Sequence, residues 1–397
     1  MRILVFCDEE LDAAAGGARQ VLELVRELAA RDHEIRLIAP IPSSGPEAVA
    51  PIPQVVFRYA PVLRAAGMRP LSYLLTSTTV MTREMIGWRP EALLWFDSPG
   101  QVGPLLCARL AGCPIALFAN GLPAEEVRGV WRWGPLTKLL TSLLKLAARR
   151  AAAVVSVCPE ITVWMQSAWG IPAGRCHVIR NGVDTLRFRP QEAQEARRRL
   201  ELEERAHYIG FVGGFFPWHG LETLVEAVPA VLREMPDARF LLVGEGQTRA
   251  DLEARVRQMG LQEAVRFPGR VRFDEVPRWI AACDVCVVLH RPTRFYPGDS
   301  MKLWEYQACA RPVVASAGPG YGDTVEAIGS GVSVKPADPL DLARGLVDLL
   351  RDPEQRATMG RRGREAMQAG HTWRARAAQL DTVLREAVIE GMRREHG

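Results

Sequence analysis

Short apolar runs alternate with longer amphipathic stretches from one end of the chain to the other. RILVFCD at residues 2–8 reads as a buried strand and is followed by a loop carrying Gly16 and Gly17. Val21, Leu24, Val25 and Leu28 then recur at helical spacing before the strand-like EIRLIAP. The same order restarts at YIGFVGG, where Leu221, Leu224, Val225, Val228, Val231, Leu232 and Met235 form one stripe ahead of RFLLVGEG, with a kink predicted at Pro229. Strand, loop, helix and strand in this alternation predict an α/β chain with parallel sheets covered by helices on both faces. The restart predicts two Rossmann-like, doubly wound domains facing across a cleft, with ligands at the carboxyl ends of the strands. The loops that fall there are Gly16–Gly17, Gly213 to Gly220, Gly244 with Gly246, and Arg291 to Ser300.

RNGVDTLRFRP, with its Asn-Gly turn, precedes the charged QEAQEARRRLELEE and marks a junction. The boundary is expected near 187, giving domains 1–187 and 188–371, with a final helix over 372–397 long enough to reach back and complete the first. A chain of 397 residues accommodates two cores. The net charge of +4, from 50 basic and 46 acidic residues spread along the chain, is too weak and diffuse an excess to argue for nucleic acid, so no nucleic-acid partner is expected, and small anionic substrates stay open. MRILVFCDEE meets three acids too early for a signal peptide, and no apolar run reaches the roughly 18 residues of a span, so a cytoplasmic protein is expected.

The eight cysteines read mostly as small buried hydrophobes. Cys283 and Cys286 form a lone CxxC whose offset, on a strand, should send the thiols to opposite faces, so no metal site is expected. PLTKLLTSLLKLAARR places Leu136, Leu139, Leu140, Leu143, Leu144 and Ala147 on one stripe, with lysines opposite and Trp131 and Trp133 just before it. Such a helix suits weak peripheral contact with an anionic bilayer. Its run into AAAVVSV favours packing in the core instead.

GDSMKLWEYQACARPVV, residues 298–314, carries the most specific chemistry. With Ser300 as helix cap, Lys302 and Glu305 share one face about 4.5 Å apart along the axis. That matches the step from a diphosphate to its ribose, with free helix N–H groups aimed at the phosphates. The plain alternative is an exposed ion pair beside Leu303 and Trp304.

Five blocks together resemble the GT-B glycosyltransferases of family 4 along essentially the whole chain. They are AGGARQVLELVRELAARDHEIRLIA, RNGVDTLRFRP, FVGGFFPWHGLETLVEAV, LLVGEGQTRADLE and SMKLWEYQACARPVVAS. The resemblance implies a retaining hexosyltransferase that moves a sugar from a nucleotide-diphosphate donor, a UDP- or GDP-sugar, to an acceptor hydroxyl on a glycan, a lipid-linked or a small molecule. It implies no cofactor and no bound metal, with the donor on the C-terminal domain and the acceptor on the N-terminal one. The ribose-binding glutamate maps onto Glu305, and Lys302 then faces the diphosphate. Three departures stand out: Pro297 replaces a second glutamate, leaving Asp299 as the nearest acid; Gly214 and His219 replace an arginine and a lysine; and Asn120 replaces a histidine near the donor sugar. Lys302, Glu305 and Asn120 are thus the expected catalytic residues.

Bond cleavage leaves negative charge on the diphosphate, for which Ser300, the first helix N–H groups, Lys302 and the loop at Gly16 and Gly17 are the candidate donors, and the resemblance completes the expected donor site with Gly214, His219, Gly244, Asp299, Met301 and Leu303. The main chain of Arg270 and Val271 is expected to meet the base. An epimerase or hydrolase on the same fold, or a non-catalytic nucleotide-sugar binder, are the alternatives. A dinucleotide oxidoreductase is disfavoured because no strand is followed by GxGxxG.

Overall fold

The computed structural model describes residues 1–12, 16–65, 68–98, 100–122, 134–292 and 298–395, with side chains as far as 391. The chain forms two compact units, Met1–Asn181 with Trp373–Gly397, and Gly182–Thr372. The division falls at Asn181, ahead of the 187 read from the junction motif. The reason is packing: Val183 bridges to Thr372, and Val183 and Phe188 are both buried in a core of the second unit.

The first unit is built on seven parallel strands: β1 (Arg2–Phe6), β2 (Glu34–Pro40), β3 (Val55–Ala60), β4 (Ala92–Phe96), β5 (Ile115–Ala119), β6 (Ala153–Ser156) and β7 (Cys176–Val178). Their order is β3-β2-β1-β4-β5-β6-β7. Helices cover both faces, so β4 and β5 are apolar and buried along their whole length. Helix Gly16–Ala29 turns Val21, Leu24, Val25 and Leu28 inward, as its spacing predicts. The final helix, Trp373–Glu395, packs against it and against β4, β5 and β6. Asp381 Oδ1 of that helix lies 3.0 Å from Nε2 of the buried His33. Helix Gly134–Arg150 buries Thr137, Leu140, Leu144, Ala147 and Ala148, so half of its apolar stripe is spent on packing, while Leu136 and Leu143 are half-buried and Leu139 and Leu146 stay exposed. Trp131 and Trp133 lie outside the described residues. Among the described residues no helix is long and apolar enough to cross a membrane.

The second unit repeats the plan with β8 (His207–Val212), β9 (Ala238–Val243), β10 (Val265–Gly269), β11 (Val285–Val288), β12 (Val313–Ser316) and β13 (Gly331–Val334), in the order β10-β9-β8-β11-β12-β13 and all parallel. Helix Leu221–Glu234 continues through Pro229, with Leu221, Leu224, Val225, Val228 and Val231 buried. Cys283 and Cys286 do not part to opposite faces as expected. Cys283 caps the helix Val276–Ala282 and stands outside β11, so strand alternation does not apply; a side chain at Gly210 would collide with one thiol and touch the other. In both sheets the strand order reverses beside the first strand, between β1 and β4 and between β8 and β11. Ligands of open α/β sheets bind at such points.

Candidate active site

In the second unit β8 pairs with β11 only at Ile209 and Gly210. Beyond these the strands part, and the fully buried Tyr306 hydroxyl fills the gap, accepting from Val212 N–H at 2.8 Å and donating to Val212 O at 3.1 Å. This fastens helix Met301–Ala308 to the end of β8, immediately before Gly213 and Gly214. Ser300 occupies the cap position but its hydroxyl makes no cap bond. Instead Ser300 Oγ accepts from Lys302 Nζ at 3.2 Å.

Lys302 runs over Gly213, where a Cβ would come within 2.8 Å of its Cε. Its ammonium lies 5.3 Å from the centre of the Phe211 ring and 3.2 Å from His219 Nε2. His219 Nδ1 in turn lies 2.7 Å from Gly214 O. Burial, and then the neighbouring Lys302 charge, push the His219 imidazolium down to about 3, so the ring is neutral near pH 7. Gly214 therefore contributes a carbonyl where a cation was expected to be missing, and His219 contributes a neutral acceptor.

Glu305 stands one turn beyond Lys302 and is only 8% exposed, which is not the environment of a solvated surface pair. Asp299 Oδ2 accepts from Trp304 Nε1 at 3.2 Å, holding the approach to the helix. Met301 is half-buried at the helix start. Leu303 is engaged elsewhere: its side chain is in the core and its N–H bonds Ser300 O at 3.1 Å. The glycine turns nest: Phe215 N–H donates to Glu245 O at 2.8 Å, and Gly246 (φ 154°) is glycine by necessity, since a Cβ would lie 2.5–2.8 Å from Phe215 main-chain atoms. Gly244 lies against Gly213 in the same way. Arg270 is exposed just past β10, and Val271 packs on the core beside it. Pro297 lies outside the described residues.

Gly16, Gly17 and Asn120 belong to the first unit. There a cavity of about 410 Å³ opens at the carboxyl ends of β1, β4 and β5, lined among others by Asp8, Glu9, Arg69, Asp97, Ser98 and Asn120. Asn120 Oδ1 is buried with no hydrogen-bond partner among the described residues. Arg69 Nη1 lies 3.0 Å from Asp8 Oδ1, and Nη2 donates to Asp8 O at 2.9 Å. Burial outweighs that arginine and pushes the Asp8 carboxyl up to about 7; it raises Glu9 as well. The Glu9 carboxylate lies against Gly17, so the start of helix Gly16–Ala29 already faces an acid. Sequence reasoning singled out Asn120 in this cavity and missed its acids. Their signal was position alone, as polar residues directly after the apolar runs of β1 and β4. Arg69 carries no such signal, because it opens helix Arg69–Gly87 far from either strand in sequence.

Two Rossmann-like domains, each with polar side chains gathered where its strand order reverses, define the GT-B architecture. The chain aligns over 97% of its length with 98% of the solved structure of sucrose-phosphate synthase from Thermosynechococcus elongatus, at a TM-score of 0.79 and 22% identity. Residues 14–187 match the family described as Glycosyltransferase Family 4, and residues 206–352 the family described as Glycosyl transferases group 1. The GDP-mannose-dependent alpha-(1-6)-phosphatidylinositol monomannoside mannosyltransferase of Mycobacterium tuberculosis is 30% identical over 334 residues, covering 81% of this chain and 84% of its own. The 2-deoxystreptamine glucosyltransferase of Streptomyces kanamyceticus is 30% identical over 291 residues, covering 70% of this chain and 72% of its own. The chain belongs to the family 4, group 1 glycosyltransferases, and it is a glycosyltransferase that uses a nucleotide-sugar donor.

Proposed function

We propose that the protein transfers a hexosyl group from a UDP- or GDP-sugar, held by the second unit, to an acceptor hydroxyl of a glycan, lipid-linked or small molecule held by the first, with retention at the anomeric carbon and without a metal ion. The observation that carries this reading is the convergence of Lys302, Ser300, His219 and the Gly213–Gly214 turn at the β8/β11 switch point. In this reading the Lys302 ammonium meets the charge that develops on the departing diphosphate, where a preorganised donor acts most strongly in the transition state. Glu305 takes the ribose hydroxyls, which suits a carboxylate held in a nearly buried helix turn. The main chain after β10, at Arg270 and Val271, takes the base. A fixed cation and helix N–H groups supply the charge neutralisation that a metal supplies elsewhere.

On the acceptor side, the acid-lined cavity around Asp8 and Asn120 is the pocket for the hydroxyl, and the unpartnered Asn120 Oδ1 is a ready acceptor for it. The relatives support a GDP-sugar and a range of acceptors: one is named for GDP-mannose and phosphatidylinositol monomannoside, the other for 2-deoxystreptamine. The test is a thermal-shift screen with UDP-, GDP-, ADP- and dTDP-sugars, in which the true donor raises the melting temperature by mass action. Proton NMR of the first-formed product follows. An inverted anomeric signal, or activity abolished by EDTA and restored by a divalent ion, overturns the mechanism.

A further inference from the structure

We infer that His219 is a positioning residue whose imidazole is held as the Nδ1–H tautomer, donating to the Gly214 carbonyl and accepting from the Lys302 ammonium through Nε2, so that the ring aims the lysine. The inference rests on the donor-site reading above only for what the ammonium is aimed at.

The tautomer follows from the partners. A carbonyl oxygen can only accept, so the nitrogen 2.7 Å from Gly214 O carries the proton. An ammonium can only donate, so the nitrogen 3.2 Å from Lys302 Nζ offers its lone pair. A doubly protonated ring would point N–H at N–H. The ring is walled by Phe211, Phe216 and Trp218, with centroids at 5.5, 5.8 and 5.9 Å, and none of these brings a charge. Lys302 is the charged group facing it, and its charge together with burial keeps the ring neutral.

The consequence for Lys302 is directional. A lysine side chain has four rotatable bonds and loses much rotamer entropy when fixed. Here its N–H bonds are directed at Ser300 Oγ and at His219 Nε2. His219 thus adds no charge; it converts a mobile ammonium into an oriented one. Adding a lysine at 219 would set two ammonium groups in competition for one place and remove the acceptor.

Two-bond proton–nitrogen NMR on protein labelled at histidine reads the tautomer without any substrate. His219 is expected as the Nδ1–H form and non-titrating from about pH 5 to 8, and Lys302→Met is expected to move its titration upward. A Nε2–H tautomer, or a wild-type titration near pH 6, overturns the inference. Kinetics test the role. His219→Gln places an amide oxygen near the Nε2 position and should rescue part of the activity, lowering kcat by about tenfold. His219→Asn reaches Gly214 O but not Lys302, and should lower kcat by about a hundredfold, the scale of a misplaced catalytic group, with a smaller change in donor KM. Equal losses in the two variants, with melting temperatures matched, reduce His219 to a packing residue and overturn the positioning role. If the wild-type protein transfers nothing from any donor, the proposed function fails while the NMR experiment still decides the tautomer.

Discussion

Tyr306→Phe removes one oxygen from the point where β8 and β11 part. That oxygen serves both main-chain groups of Val212, at 2.8 and 3.1 Å, and the ring around it is fully buried. Phenylalanine keeps the ring and its contacts, so the loss is confined to hydrogen bonding. An N–H and a C=O remain without their partner in a place closed to water. One such buried group costs about 1–3 kcal/mol, so the pair is expected to cost about 2–3 kcal/mol after partial relaxation. For a domain of this size each kcal/mol lowers the melting temperature by about 2–4 °C, giving an expected drop of roughly 4–12 °C in the second unit. The hydroxyl also ties the Lys302 helix to the Gly213–Gly214 turn, so kcat should fall by about tenfold while the chemistry-bearing side chains are intact. Differential scanning calorimetry and turnover at saturating donor measure the two effects. A melting temperature within about 1 °C of wild type means that Val212 finds other partners and that the helix is held by packing alone.

Lys302→Met should lower kcat by about a hundredfold, the scale of losing one preorganised transition-state donor, with an unchanged melting temperature; turnover within a few-fold of wild type removes it as the leaving-group cation. Glu305→Gln should weaken donor binding by about 1.5–3 kcal/mol through lost charge-assisted bonds, and an unaltered calorimetric Kd takes Glu305 out of the ribose site. Asp8 titrates at about 7 in the fold against about 3.9 unfolded. The native state therefore binds the extra proton between these values, and Asp8 makes stability fall as pH rises from about 4 to 7. Asp8→Asn should flatten that part of the urea-denaturation profile, whereas a parallel profile would show that Asp8 titrates normally.

Local pattern determined much of this protein. The spacing of Val21, Leu24, Val25 and Leu28 and the stripe from Leu221 to Val231 place helices because a 3.6-residue period is written in adjacent residues. The turn that sets Lys302 and Glu305 on one helix face is equally local, and so is the restart at YIGFVGG that makes the second domain. What the sequence could not carry are relations between residues joined only by the order of strands. Tyr306 meets Val212 across 94 residues, Lys302 meets His219 across 83, and Arg69 meets the Asp8 main chain across 61. The edge of the first domain moved to Asn181 because Val183 and Phe188 found their apolar partners in the second core, which no turn motif can announce. Cys283 escaped the strand alternation because a helix ends on it. The protonation of His219 and Asp8 belongs wholly to tertiary structure: the residue type supplies a proton site, and burial with a specific neighbour decides whether the proton stays.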